Sequence, residues 1–288
     1  MLKEAFVTGT STGIGLAIAR VLVERGVRVF GTVRRADDGD RLRAELGSGF
    51  EPVLLDVTEP ESIERAKAHV SEQLAGRCLG GLVNNAGIAI GGPLLEQAAA
   101  TFERHFQVNV MGPFRVTQAF GPLLGADRAR SGARGRIVNI SSVAGKLAAP
   151  FLGGYAASKH ALEAMSASLR RELMLYGIDV IVVAPGNVVT PIWDKAEASE
   201  ERYTDTPYAT SLAKFSRYVL TRGRQGYPPE RIGAVVLEAL TAHKPRARYA
   251  VVPDAFSNWV VPRLMPSRWL DRAMAKNLGL LPNAEDGR

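Results

Sequence analysis

The sequence predicts a single α/β domain built on a doubly wound parallel sheet. Two observations carry this. Short β-branched apolar runs alternate with longer helical stretches along most of the 288 residues, the order from which parallel sheets with helices on both faces are built. Most of those runs are continuous rather than alternating, as strands buried on both faces read. The length suits one large open sheet better than two ordinary domains.

The expected strands are residues 5–8, 28–33, 53–56, 82–84, 136–141, 180–184 and 248–252. Local signals place helices between them. Thr58, Glu59, Pro60 and Glu61 read as an N-cap with a capping-box glutamate and an early proline. Gly177 follows Tyr176 as a glycine C-cap, and Pro228-Pro229 opens a helix carrying Val235, Val236 and Leu240. Residues 191–227 break the rhythm with a polar stretch dotted by Trp193, Tyr203, Tyr208, Phe215, Tyr218 and Tyr227. It follows the sixth strand, at the sheet edge where open α/β sheets bind ligands, and reads as a lid insertion. A C-terminal extension from about residue 255 carries Phe256, Trp259, Met265, Trp269 and Leu270.

Composition narrows the class. A hydrophobic fraction of 46% and a charged fraction of 23% are those of a soluble globular chain able to bury a core without staples. Cys78 is the only cysteine, so no intrachain disulfide can form and a reducing, cytoplasmic compartment is expected. The first strand follows the N-terminus too closely for a signal peptide, and no apolar run has the length of a membrane span. The formal charge is +7. Its densest group, Arg128, Arg130, Arg134 and Arg136, lies in a Gly/Ser loop without interleaved aromatics, so no nucleic-acid partner is expected. The positive balance suits a diphosphate-bearing cofactor. His69, His105, His160 and His243 show no ligand spacing, and no metal site is expected.

The first strand runs into Thr8-Gly9-Thr10-Ser11-Thr12-Gly13-Ile14-Gly15, and a helix over 16–25 follows. Glycines there let the backbone turn tightly against a pyrophosphate, with the amides of Ser11, Thr12, Gly13, Ile14 and Gly15 facing the phosphates. The spacing is G-xxx-G-x-G rather than G-x-G-xx-G. NAD-selective sites place a carboxylate at the end of the second strand. Here Val33 occupies that place and Arg34 follows, a guanidinium suited to a 2′-phosphate. NADP(H) is favoured and NAD(H) stays open.

Ser142 ends the fifth strand, and Tyr155 and Lys159 follow at i and i+4, one helical turn apart. A phenol of ordinary pKa, about 10, is a poor base at neutral pH. An ammonium beside it favours the phenolate and brings it toward the range useful for general acid–base work. The Ser142 hydroxyl can donate to a substrate oxygen as that oxygen gains negative charge.

In these motifs the chain resembles the short-chain dehydrogenase/reductase family, in the subgroup with a T-G-xxx-G-x-G turn and a Y-xxx-K pair. The resemblance adds Asp56-Val57, Asn84-Asn85-Ala86-Gly87, Asn109-Val110-Met111-Gly112 and the Pro185–Thr190 segment, all in family order. It implies a Rossmann-like fold and hydride exchange between a nicotinamide and a secondary alcohol or ketone. By that resemblance Tyr155 exchanges the proton, Lys159 lowers its pKa and bonds the nicotinamide ribose, Ser142 orients the substrate oxygen, and Asn109 holds a water linking Lys159 to solvent. Asp56 and Val57 contact the adenine. Asn85, Ala86, Gly87, Pro185 and Gly186 line the cofactor, and Val188 and Thr190 hold the carboxamide. The helices over 101–124 and 155–176 would form a four-helix interface in a homodimer or homotetramer. The loop Pro150-Phe151-Leu152, with Trp193 and the later aromatics, suggests an apolar pocket, and the tail resembles those of family branches acting on steroids, retinoids or other lipophilic alcohols. The tail also reads as a simple core cover, and membrane contact is the lesser reading. Two rival functions stay open: a non-catalytic NADP(H)-binding redox sensor, and an epimerase or dehydratase on the same scaffold.

Overall fold

The computed structural model describes residues 2–190 and 201–282. Seven strands form one parallel sheet in the order β3-β2-β1-β4-β5-β6-β7. They are β1 (Glu4–Val7), β2 (Arg28–Val33), β3 (Phe50–Leu54), β4 (Gly81–Asn84), β5 (Arg136–Ile140), β6 (Asp179–Pro185) and β7 (Arg248–Val251). All seven expected strands are present. The third starts three residues early, at Phe50, whose ring is buried against the α1 side of the sheet.

The helices are α1 (Gly13–Glu24), α2 (Ala36–Leu46), α3 (Pro60–Leu74), α4 (Ala99–Phe106), α5 (Gly112–Phe120), α6 (Gly153–Glu172), α7 (Ala209–Arg224), α8 (Pro229–Thr241), α9 (Val261–Leu264) and α10 (Ser267–Leu278). Continuous apolar strands serve two cores because successive side chains point to opposite faces. Ala5, Val7, Val29, Val83, Val138 and Val183 meet Ile18, Leu22, Ile232 and Val236 of α1 and α8. Phe6, Phe30, Leu82, Ile137 and Val180 meet Val70, Leu74, Val116 and Phe120 of α3 and α5.

Two local expectations are corrected. Thr58 and Glu61 form no capping box: the N-cap of α3 is Glu59, without a side-chain cap. Asp56 ties the turn instead, accepting from the Thr58 amide (2.9 Å) and hydroxyl (2.7 Å), while Ser62 Oγ accepts from the Asp56 amide at 3.1 Å. The long helix expected over 101–124 is interrupted by a wider turn at Gln107–Met111, where the Gly112 amide reaches back to the Gln107 carbonyl. Pro113 supplies the reason. It has no N–H to give the Asn109 carbonyl, so the α-helical ladder cannot continue there.

The insertion at 191–227 lies outside the described residues over 191–200, Trp193 included. Its later part holds α7, which joins a third apolar cluster of Phe151, Leu212, Phe215 and Leu278. No described helix is long and apolar enough to cross a membrane.

Candidate active site

The sheet order reverses between β1 and β4, and a crevice opens outside the carboxyl ends of those strands. One wall is the glycine-rich turn. Gly9 has φ +71°, and a Cβ on it would stand 2.9 Å from the Ala86 Cα. A Cβ on Gly15 would collide with the Gly9 carbonyl. The turn is pinned from two sides, by Thr32 of β2 and by Asn85 after β4. Thr32 Oγ1 accepts from the Gly9 amide at 2.9 Å, the Thr10 hydroxyl donates to the Thr32 carbonyl at 3.0 Å, and Asn85 Nδ2 donates to the Thr8 and Gly9 carbonyls at 2.9 and 3.0 Å. Thr12, the N-cap of α1, forms no side-chain cap bond, and the first turn carries no acidic residue. Helix geometry gives the first amides no internal partner, so those of Gly13, Ile14 and Gly15 suit an anion.

At the carboxyl end of β2, Val33 is buried and Arg34 is exposed. Burial would raise the Asp56 carboxyl, but the Thr58 hydrogen bonds, with Arg34 and Arg104 nearby, hold it below its usual range. Val57 is buried behind it, against Gly112. Arg41 was not legible in the sequence. It reaches from α2 to donate to the Ser11 carbonyl at 2.9 Å, and it pairs with Asp38. Thr8 was missed in the same way: its hydroxyl accepts from the Asn85 and Ala86 amides. Both link residues far apart in sequence, which local spacing does not reveal.

The opposite wall collects the reactive groups. Ser142, at the end of β5, accepts from the Ala144 amide at 3.1 Å and lies 3.5 Å from the Pro185 carbonyl at the end of β6. Lys159 is 5% exposed, and its Nζ donates to the Ile140 carbonyl at 2.9 Å and lies 5.8 Å from the centre of the Tyr155 ring. Asn109 is fully buried in the interrupted helix. It exchanges hydrogen bonds with the Ile88 amide and carbonyl (2.9 Å each) and donates to Ser158 Oγ at 2.9 Å, while Ser158 donates to the Tyr155 carbonyl at 2.7 Å. A Cβ on Gly87 would stand 3.2 Å from Asn109 Oδ1 and 3.7 Å from Lys159 Nζ. Only glycine leaves the Asn109 amide and the Lys159 ammonium open to a shared polar group. These polar groups, with the unpaired first amides of α1, fit the ribose and diphosphate of a nicotinamide dinucleotide. Val188 is buried and bridges to Tyr227, and Thr190 is the last residue described before 201.

Charge in the protein alone departs from one expectation. Burial pushes the Tyr155 phenol up, with a Ser142 hydrogen bond pulling the other way. Burial pushes Lys159 down to about 8, and Glu163 pulls it back up. Desolvation therefore outweighs the ammonium's pull on the phenol, which lies beyond direct contact.

His105 supports the loop between the walls. Its Nε2 accepts from the Ile90 amide at 3.0 Å and its Nδ1 meets the Thr101 carbonyl at 3.0 Å, while burial pushes its pKa down. Phe151, in the left-handed region at φ 64°, accepts from the Gly92 amide at 2.8 Å and meets Tyr208 and Phe215 edge-on. Tyr203 covers Gly92, where a Cβ would stand 2.6 Å from its hydroxyl.

The family described as short chain dehydrogenase matches residues 3–201. An NADPH-dependent 3-dehydrocapnine reductase of Ornithobacterium rhinotracheale is 35% identical over 96% of this chain and 98% of its own. Retinol dehydrogenase 5 of Homo sapiens is 34% identical over 93% of this chain and 86% of its own. A short-chain dehydrogenase from Streptomyces avermitilis superposes with a TM-score of 0.75 at 30% identity, covering 96% of this chain and 94% of that one. The chain belongs to the short-chain dehydrogenase family and is an oxidoreductase that uses NAD(P)(H) to interconvert a CH–OH group and a ketone.

Proposed function

We propose that this enzyme handles a lipophilic secondary alcohol or ketone, with NADP(H) as its favoured cofactor and Ser142, Tyr155, Lys159 and Asn109 as its working residues. The observation that carries the reading is the convergence of Ser142, Tyr155 and the buried Lys159 beside the opening at Gly87. When bound, the nicotinamide supplies or accepts the hydride, and the protein supplies position and charge. In reduction, the Ser142 hydroxyl donates to the ketone oxygen and Tyr155 gives up its proton as that oxygen gains charge. Lys159 stabilises the phenolate left behind. Asn109 braces the helix that carries both, through Ser158, and leaves one face of its carbonyl toward Gly87 for a relay water. Oxidation reverses these transfers.

The cofactor contacts proposed are Gly9, Ser11, Thr12, Gly13, Ile14 and Gly15 for the diphosphate, Arg34 for the 2′-phosphate, Asp56 and Val57 for the adenine, and Asn85, Ala86, Gly87, Tyr155, Lys159, Pro185, Gly186, Val188 and Thr190 toward the nicotinamide and its ribose. Val33 in place of a carboxylate, with Arg34 exposed beside it, favours the 2′-phosphate, as does the name of the NADPH-dependent relative. Arg34→Ala should raise the Kd for NADPH about ten- to a hundredfold, the scale of a charged hydrogen bond, and leave that for NADH nearly unchanged. Equal losses in titration calorimetry would remove Arg34 from phosphate recognition.

The aromatic wall of Phe151, Tyr203, Tyr208 and Phe215 supports a lipophilic substrate, and the retinol dehydrogenase relative points the same way. The segment 191–227 would act as the lid, with the tail packed behind it. A panel of ketones and alcohols, followed by absorbance of the reduced nicotinamide, tests this. Bulky apolar ketones should show the higher kcat/KM, and a preference for small polar ones overturns the substrate class. Tight cofactor binding without turnover of any member would support a redox-sensing role instead.

A homodimer or homotetramer is also inferred. Phe102 stacks on Phe106 with ring centres 5.3 Å apart on α4, and Leu94 and Leu95 stand exposed beside it. A monomeric mass in sedimentation would exclude it. With Cys78 its only cysteine, the chain is read as cytoplasmic.

A further inference from the structure

The catalytic helix carries a second buried charge that the reaction above does not use. Glu163 lies four residues beyond Lys159 on α6, hence on the same face, and is 6% exposed. Both its oxygens accept from Arg248 Nε, at 3.1 and 3.0 Å. Lys146, on the turn after β5, stands 4.0 Å away. That turn closes over the carboxylate: a Cβ on Gly145 would come within 3.0 Å of Glu163 Cγ. Arg248 opens β7, and its guanidinium lies 4.4 Å from the centre of the Trp259 ring. Arg263 lies 4.7 Å from the same ring. Trp259, 8% exposed, belongs to the C-terminal extension.

Burying a carboxylate is costly, and a pair made only for stability would have its remaining donors satisfied. Here Arg248 Nη2 is buried with no hydrogen-bond partner among the described residues. The arrangement is therefore not one optimised as a salt bridge. Among the described residues, two cations lie within 4.0 Å of Glu163, Arg248 from β7 and Lys146 from the turn after β5, and Lys159 sits one helical turn before it on the same face of α6. Only Lys159 also belongs to the site, where it faces Tyr155, the Ile140 carbonyl and the Gly87 opening.

We propose that Glu163 is a positioning residue that keeps Lys159 an ammonium at the Ile140 carbonyl, and that the Arg248–Trp259 clamp sets how much of its charge Lys159 feels. The C-terminal extension is thereby connected to the proton relay through β7 rather than through the substrate pocket. The opposed pull of burial and Glu163 on Lys159 agrees with this. The inference rests on the reading of Lys159 as the partner of Tyr155.

The test is an NMR titration of Lys159 in protein labelled with [ε-13C]lysine, read beside the pH profile of ketone reduction. Glu163→Gln keeps the shape and removes the charge. It should move the Lys159 midpoint, and with it the high-pH limb of kcat, downward by on the order of one pH unit. Arg248→Met should move both the opposite way, because Glu163 then has one less cation to satisfy. An unchanged midpoint in Glu163→Gln, or shifts of the same sign in both variants, overturns the proposal, since mere loosening of packing would not give opposite signs. Lys146→Met, at a half-exposed position, keeps the question answerable if the buried variants do not fold: an upward shift supports the proposal and no shift refutes it. The titration is read without turnover, so it stands apart from the relay itself. That reading fails separately if Lys159→Met keeps the wild-type kcat.

Discussion

Tyr155→Phe should lower kcat by about 10²- to 10⁴-fold, the usual contribution of a positioned acid–base group, while the Kd for NADPH changes by no more than a few-fold. The substitution removes one oxygen and leaves the ring among its neighbours. The phenol's hydrogen bond is to Ser142, so the glycine-rich turn proposed for the diphosphate keeps its own bonds. Stopped-flow measurement of hydride transfer, paired with fluorescence titration of NADPH, separates the two effects. Retention of a tenth or more of the wild-type rate would mean the proton comes from elsewhere. The wild-type reduction should be fastest where Tyr155 is protonated and Lys159 charged. Burial raises the phenol and holds Lys159 near 8, so the reductive rate should fall as pH rises through about 8, the ammonium being lost first.

Gly15→Ala should damage cofactor binding out of proportion to its size. The new methyl would meet the Gly9 carbonyl and stand 2.5 Å from Asn85 Nδ2. Two of the colliding groups are backbone or pinned to backbone, so the turn itself must shift. Overpacking of this kind costs about 1–3 kcal/mol. It displaces the amides that face the phosphates, and each 1.4 kcal/mol of binding lost is a tenfold rise in Kd. Calorimetry should show NADPH and NADH weakened alike, about ten- to a hundredfold, with the folded state still formed. Unchanged binding of both would remove the turn from phosphate recognition.

The strands were legible because each is a short apolar run whose alternate residues enter different cores, as Phe6 and Val7 do. Tyr155 and Lys159 were legible because helical periodicity alone sets them one turn apart. The interrupted helix at Asn109 was not, although Pro113 was in view: a proline shows that the ladder must break but not that a wider turn will absorb the break. The missing capping box at Thr58 has a similar origin, since Asp56 competed for the same donors from outside the expected motif. Arg41 on Ser11, Thr8 on Asn85, and Arg248 on Glu163 join positions 30 to 85 residues apart. Such contacts are made by the sheet order, which no local spacing encodes. The direction of the Tyr155 shift was missed because sequence gives the neighbour but not the depth of burial.

The third apolar cluster draws on Phe151, Leu212, Phe215 and Leu278, whereas the turn and its struts come from residues 8 to 86. The aromatic wall proposed for the substrate and the turn proposed for the diphosphate thus come from separate stretches of the chain. On that proposal, changes confined to the aromatic wall would alter which molecule is admitted while the glycine-rich turn keeps its shape, so selectivity would drift in descendants of this chain without a loss of redox competence.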